Sequence, residues 1–283
     1  MNNYRRWMIL PTVLAVLGFG AARAEAYVLQ KAGSGDVIRW AESCIQYSLY
    51  ESGVPGIEMS DLRDAIRASF DAWENVDCAY FYFEETEDAS CDQIGYQEDT
   101  GNMNLLIFRD TSWSIDGDHD ASAIALTTTS WDDLSGRMLD ADIEFNAQHF
   151  DFGVDGSMNK ADIQNTATHE IGHVLGLDHT NVREATMYPT AGTGDTDKRS
   201  LAQDDIDGLC KLYPLEHDRG ICKAPHCGLD VSCTSTSCDS SGIAYTPAPD
   251  ENGCTAAVHL GNRSDASWFS VAASLLTWHS VVR

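Results

Sequence analysis

The stretch His-Glu-Ile-Gly-His-Val-Leu-Gly-Leu-Asp-His at residues 169–179 constrains this chain more than any other segment. On a helix, His169 and His173 stand one turn apart on one face, so both imidazoles reach a single metal ion. A continuing helix would carry His179 away from them. The backbone must therefore turn, and Gly176 is the residue able to take the conformation needed. Three neutral imidazoles form a zinc ligand set that leaves the fourth tetrahedral position open to water, whose pKa falls to about 7 on binding. Glu170 is the candidate base for that water's proton. A lone histidine on an apolar stripe usually just packs, but this spacing of histidines, glutamate and glycine is too demanding for that reading.

The pattern His-Glu-x-x-His-x-x-Gly-x-x-His resembles the metzincin zinc signature. Ala185-Thr186-Met187-Tyr188-Pro189, shortly after His179, resembles the Met-turn, in which a methionine forms an apolar floor beneath the ligands. The wording Met-Tyr-Pro is similar to the matrixin branch, the matrix metalloproteinase-like peptidases. Tyr188 and Pro189 then read as wall of the pocket for the side chain just after the cleaved bond. Residues 61–73 resemble the first helix of matrixin catalytic domains, and residues 201–209 with Leu212 and Tyr213 resemble the last. The likeness runs over residues 36–214.

This resemblance implies an α+β, metzincin-type zincin fold: a twisted mixed five-stranded sheet with three helices, above a cleft floored by the zinc helix. It implies a secreted, bacterial-type zinc metalloendopeptidase with one catalytic zinc on His169, His173 and His179 and Glu170 as general base. Extended protein or peptide substrates would add a strand to the sheet edge near residues 121–128. Matrixins also carry structural calcium. Oxygen-rich candidates are Asp116, Asp118 and Asp120, then Asp140, Asp142 and Glu144, although acids alternating along residues 138–144 read equally as a solvated strand face. The family's second, structural zinc uses a histidine at or next to Met138, where none stands; His119 and His149 replace it only in part. Two other readings of the zinc motif are a cell-wall peptide hydrolase and a zinc-stabilised binding or adhesion module without turnover.

Residues 1–26 read as a signal peptide: Arg5 and Arg6, an apolar run over residues 7–20, then small residues at Ala22, Ala24 and Ala26. Without them the chain keeps 15 basic and 43 acidic side chains. Such acidity disfavours nucleic acid or an anionic membrane as partner. Nine cysteines in an exported chain imply disulfides, with one cysteine left over and the connectivity open.

The chain divides into the signal peptide, a catalytic domain over 27–214, a Cys-rich linker or small disulfide module over 215–254, and a tail over 255–283 with a short apolar segment. That tail either packs on its own domain or attaches the protein, expected to be a monomer, to the cell surface.

Hydrophobic patterning predicts strands at 44–49, 79–83, 105–108, 121–128 and 138–145. It predicts a helix capped by Ser60 with Leu62, Ile66, Phe70 and Trp73 on its buried face. The zinc helix should start near Lys160 and bury Ile163, Ala167, Ile171 and Leu175.

Overall fold

The computed structural model describes residues 26–96, 102–113 and 119–215, and the backbone of 274–279. Its strands are β1 (Val28–Leu29), β2 (Cys44–Leu49), β3 (Tyr82–Glu85), β4 (Leu105–Phe108), β5 (Ala123–Trp131), β6 (Met138–Phe145), β7 (Phe152–Gly153), β8 (Ala161–Asp162), β9 (Leu177–Asp178) and β10 (Ser274–His279). The helices are α1 (Met59–Glu74), α2 (Ile163–Val174) and α3 (Gln203–Leu212).

The main sheet has the order β10-β5-β6-β4-β2-β3. Strands β2, β3, β4 and β6 run parallel to their neighbours among themselves, while β5 is antiparallel to β6. The expected mixed five-stranded sheet is thus present, and β10 adds a sixth strand antiparallel to β5. Two-residue pairings clip the loops: β1 with β9, and β7 with β8.

One face of the sheet carries the core. Ala141, Ile143 and Phe145 of β6 point into the same cluster as Ile163, Ala167 and Ile171 of α2 and Ile66, Phe70 and Trp73 of α1. Each such large side chain, taken wholly out of water, contributes about 1.5–3 kcal/mol. Polar groups finish the packing: Trp73 Nε1 donates to Thr168 O at 2.8 Å, and Ser69 Oγ to Gln164 O at 3.2 Å. These bonds fix α1 against α2.

Strands 44–49, 105–108 and 138–145 form with the bounds expected from sequence, and the apolar stripes of α1 and α2 are buried as expected. Four boundaries differ. Helix α1 starts at Met59 after Glu58, so Ser60 lies inside its first turn and caps nothing. The strand expected at 79–83 lies at 82–85, where pairing with β2 begins, and that expected at 121–128 lies at 123–131. Helix α2 starts at Ile163 rather than near Lys160. Asp162 Oδ1 accepts from Asn165 N at 2.9 Å, a local cap whose carboxylate Arg199 also holds.

Cys78 and Cys210 form a disulfide 132 residues apart in sequence, tying the turn after α1 to α3. Closing a loop of that size removes about 5 kcal/mol of unfolded-chain entropy. Cys44 and Cys91 are disulfide-bonded as well. Residues 1–25 of the segment read as a signal peptide over 1–26, and residues 216–254 of the Cys-rich module, fall outside the described residues.

Candidate active site

Helix α2 puts His169 and His173 on one face, and the chain then reverses at Gly176, whose φ of +99° lies in the left-handed region. A Cβ there would also collide with Ile38 O, so both conformation and space require glycine. The turn is clamped from outside. Gln30 N donates to Gly176 O at 2.9 Å, and Gln30 Nε2 to Leu177 O at 3.0 Å. Trp40 Nε1 and Tyr213 Oη satisfy the carbonyls of Val174 and Leu175, which the helix end leaves without partners.

These restraints deliver His179. Its Nε2 lies 3.2 Å from Nε2 of His169 and 3.2 Å from Nε2 of His173. Three nitrogens on a tetrahedral zinc at about 2.0–2.1 Å would be separated by roughly 3.3 Å, so the donor set fits that ion. The far ring nitrogens support the same arrangement. His169 Nδ1 donates to Thr186 O at 2.6 Å and His173 Nδ1 to Leu177 O at 2.8 Å, which leaves each Nε2 as a lone pair facing the common point. Burial, and then neighbouring positive groups, hold His169 well below its ordinary pKa; burial with His179 beside it brings His173 down to about 3. Neutral imidazoles are what a metal requires. Among the described residues, this is the one group of three potential ligands gathered closely enough for an ion.

Glu170 is fully buried beside them. Its Oε2 accepts from Thr127 Oγ1 of β5 at 2.5 Å, while Oε1 has no hydrogen-bond partner among the described residues. Burial pushes its pKa up to about 8, against the opposing pull of Thr127 and Lys198. A buried carboxylate oxygen without a partner, beside three converging imidazoles, is an acceptor waiting for a proton donor.

Met187 lies beneath this group, 2% exposed, with its thioether against Gly172 of α2. A side chain at Gly172 would strike Met187 Sδ and the Trp73 ring. Asp205 of α3 pins the turn, its carboxylate accepting from Thr186 N at 2.8 Å and Met187 N at 3.0 Å. The Matrixin family model matches residues 39–214. The chain belongs to the matrixin family. It is 47% identical to matrilysin of Homo sapiens over 68 residues, 23% of this chain and 26% of the relative. It is 31% identical to metalloendoproteinase 1 of Glycine max over 184 residues, 64% and 54% of the two chains. With matrix metalloproteinase-16 of Homo sapiens the identity is 28% over 175 residues, 62% and 27%. The chain therefore spans from about a quarter to about half the length of these relatives.

This matrixin carries a buried lysine next to its histidines. Lys198 N donates to Asn165 Oδ1 at 2.8 Å, while Nζ bonds Tyr188 O and lies 3.3 Å from His169 Nδ1. Burial lowers its pKa to about 7, with Glu170, Asp205 and Asp195 pulling the other way. Tyr188 and Lys198 line a cavity of about 550 Å³ beside α2. Local spacing gave no sign of Lys198, Thr127 or Asp205, which reach the site through long-range contacts.

The acidic candidates separate. Asp116 and Asp118 lie outside the described residues. Asp120 closes its own turn, Oδ1 accepting from Ser122 N and Oγ at 2.8 Å. Asp140, Asp142 and Glu144 share one face of β6 as expected, but that face is buried rather than solvated. The polypeptide around Cys91–Gly95 and the side chain of Arg109 cover it: Asp142 accepts from Gly95 N at 2.6 Å and Leu105 N at 2.8 Å, and Arg109 Nε donates to Glu144 Oε2 at 2.7 Å. Burial raises Asp140 well above the ordinary carboxylate range and Asp142 to about 7. Burial pushes Glu144 the same way, but His119 and Arg109 outweigh it and hold its pKa below the usual value. His149 bonds Asn146, and among the described residues neither it nor His119 joins a three-ligand group.

Proposed function

We propose that the protein is a secreted zinc metalloendopeptidase that hydrolyses peptide bonds in extracellular proteins. The observation that carries this reading is the convergence of His169, His173 and His179 beside the partnerless Oε1 of Glu170. When bound there, zinc supplies Lewis acidity for the scissile carbonyl and lowers the pKa of water to about 7. Glu170 takes the water's proton on Oε1 and later hands it to the leaving amine. Thr127 holds the carboxylate in place, and the Nδ1 bonds to Thr186 and Leu177 keep the imidazoles oriented. Tyr188 and Pro189 form the wall of the pocket for the residue after the cleaved bond.

Substrate would bind extended along β5, the strand that carries Thr127. That edge is occupied by the chain's own residues 274–279, with Leu276 opposite Thr127. Substrate pairing therefore requires β10 to leave. The described helices include none long and apolar enough to cross a membrane. Asp140 and Asp142, with one Asp140 oxygen lacking a hydrogen bond, are the calcium candidates that the acidic face supports best.

Incubating the protein with casein and with cross-linked peptidoglycan, with and without a chelator, separates the readings. Chelator-sensitive cleavage of casein alone is expected. Cleavage of peptidoglycan alone would make it a cell-wall hydrolase, and binding of zinc without turnover would make it a binding module.

A further inference from the structure

Cys44 and Cys91 are both disulfide-bonded, and Cys78 and Cys210 bond each other. The sheet register decides whether Cys44 and Cys91 can be partners. Cys44 opens β2 opposite Tyr82, and the same parallel pairing later sets Tyr50 opposite Ala89. From Cys44 to Tyr50 the strand advances six residues, about 20 Å. Cys91 lies two residues past Ala89, and two residues reach back at most about 7 Å. At least about 13 Å therefore separates the two Cα atoms, against about 7 Å for the longest disulfide. Arg109 gives the same answer independently. It follows β4, whose Leu105 pairs with Ser48, and its Nη2 donates to Asp92 O at 3.0 Å, which puts the Cys91 segment at the far end of the sheet from Cys44. The partners of Cys44 and Cys91 are therefore among Cys222, Cys227, Cys233, Cys238 and Cys254.

Both anchors open onto one face. Along β2, Ile45, Tyr47 and Leu49 enter the core shared with α1 and α2, so Cys44 points the other way. Along β4, Leu106 and Phe108 enter that core, and Leu105 and Ile107 face away, where Ala89 and Ile94 on either side of Cys91 pack with them. We propose that the face of the sheet turned away from α1 and α2 is the docking surface for the chain's own residues 216–254, bonded at one end through Cys44 and at the other through Cys91. The path is short enough. Pro214 pairs with Ala79, three residues before the Tyr82 that stands opposite Cys44, so the chain leaves the domain at the Cys44 end. The twelve residues from Leu215 to Cys227 extend to about 40 Å, enough to reach either anchor. Two anchors taken from five cysteines leave three, so the region is tied to the sheet by two disulfides and to itself by one at most. A segment of about 40 residues is too small for a hydrophobic core without such bridges, and here the sheet supplies the surface it lacks.

The full chain, purified without reductant and blocked with N-ethylmaleimide at mildly acidic pH, is digested and its cross-linked peptides are identified by mass spectrometry. Cys44 and Cys91 should each be joined to a peptide from residues 216–254, alongside Cys78 joined to Cys210. A peptide joining Cys44 to Cys91, or either one carrying maleimide, overturns the proposal. A second experiment introduces a site for a specific protease between Leu215 and Cys222. After cutting, the tail should stay with the domain on a non-reducing denaturing gel and leave it when reductant is added. Cys44→Ser or Cys91→Ser alone should keep the tail attached through the remaining bridge, and the double variant should lose it. Release of the tail from the cut, unmutated chain without reductant contradicts the proposal, as does its retention by the double variant. Neither readout depends on zinc or on peptide hydrolysis.

Discussion

Thr127 Oγ1 of β5 donates to Glu170 Oε2 of α2 at 2.5 Å, joining the strand expected to hold substrate to the carboxylate expected to act on it. The bond favours the ionised carboxylate, opposing the burial that raises its pKa. Thr127→Val should therefore raise the Glu170 pKa further. The rising acidic limb of the kcat/KM profile should move to higher pH by roughly 0.5–1 unit. A limb that stays in place would mean that Thr127 does not tune the base.

Gly176 carries the reversal that returns His179. Gly176→Ala meets both a positive φ and the Ile38 carbonyl, so it should destabilise the fold by about 2–4 kcal/mol. Zinc affinity should fall with it, since His179 is displaced while His169 and His173 stay on α2. Denaturant unfolding and a competitive zinc titration check the two effects separately.

The buried pair Asp140 and Asp142 makes stability depend on pH. Both folded pKa values lie above the unfolded value of about 3.9, so the folded state favours the protonated forms. The contribution of Asp142 is complete below about pH 4 and is lost as pH rises through about 7, at a cost of a few kcal/mol, and Asp140 acts in the same direction. In chelator, the melting temperature should fall between pH 5 and pH 8, and Asp140→Asn should recover several degrees at pH 8. Calcium should produce the same recovery in the unmutated chain if these residues bind it. A melting temperature that is flat over this range would contradict the pair's raised values.

Strand β10 covers the edge that substrate needs, and Leu276→Pro removes a backbone donor and bends that strand off β5. If β10 is off the edge about a third of the time, unpairing it raises kcat/KM by about threefold. Peptide hydrolysis by the full chain with and without the substitution reads this directly, and an unchanged rate would show that β10 does not compete.

The parts legible in sequence were those fixed by short-range spacing. The three converging histidines and Gly176 lie within eleven residues, and the apolar run at 105–108 ends where Arg109 and Asp110 begin. Periodicity also put Asp140, Asp142 and Glu144 on one face, but whether that face meets water depends on the segment around Gly95 and on Arg109, and no local pattern reports this. Helix starts moved because caps compete: Asp162 holds Asn165 N, whereas Ser60 makes no such bond. Lys198, Asp205 and Thr127 stay hidden for the same reason as the covering loop. Each acts on a residue 18 or more positions away.

The most direct test is kcat for peptide hydrolysis by Glu170→Gln, measured on protein whose bound zinc is counted in the same sample. One zinc per chain should remain, held by the three histidines, while kcat falls by at least about a hundredfold, the scale of a general base. Full zinc occupancy with kcat within a few fold of the unmutated protein would contradict Glu170 as the base.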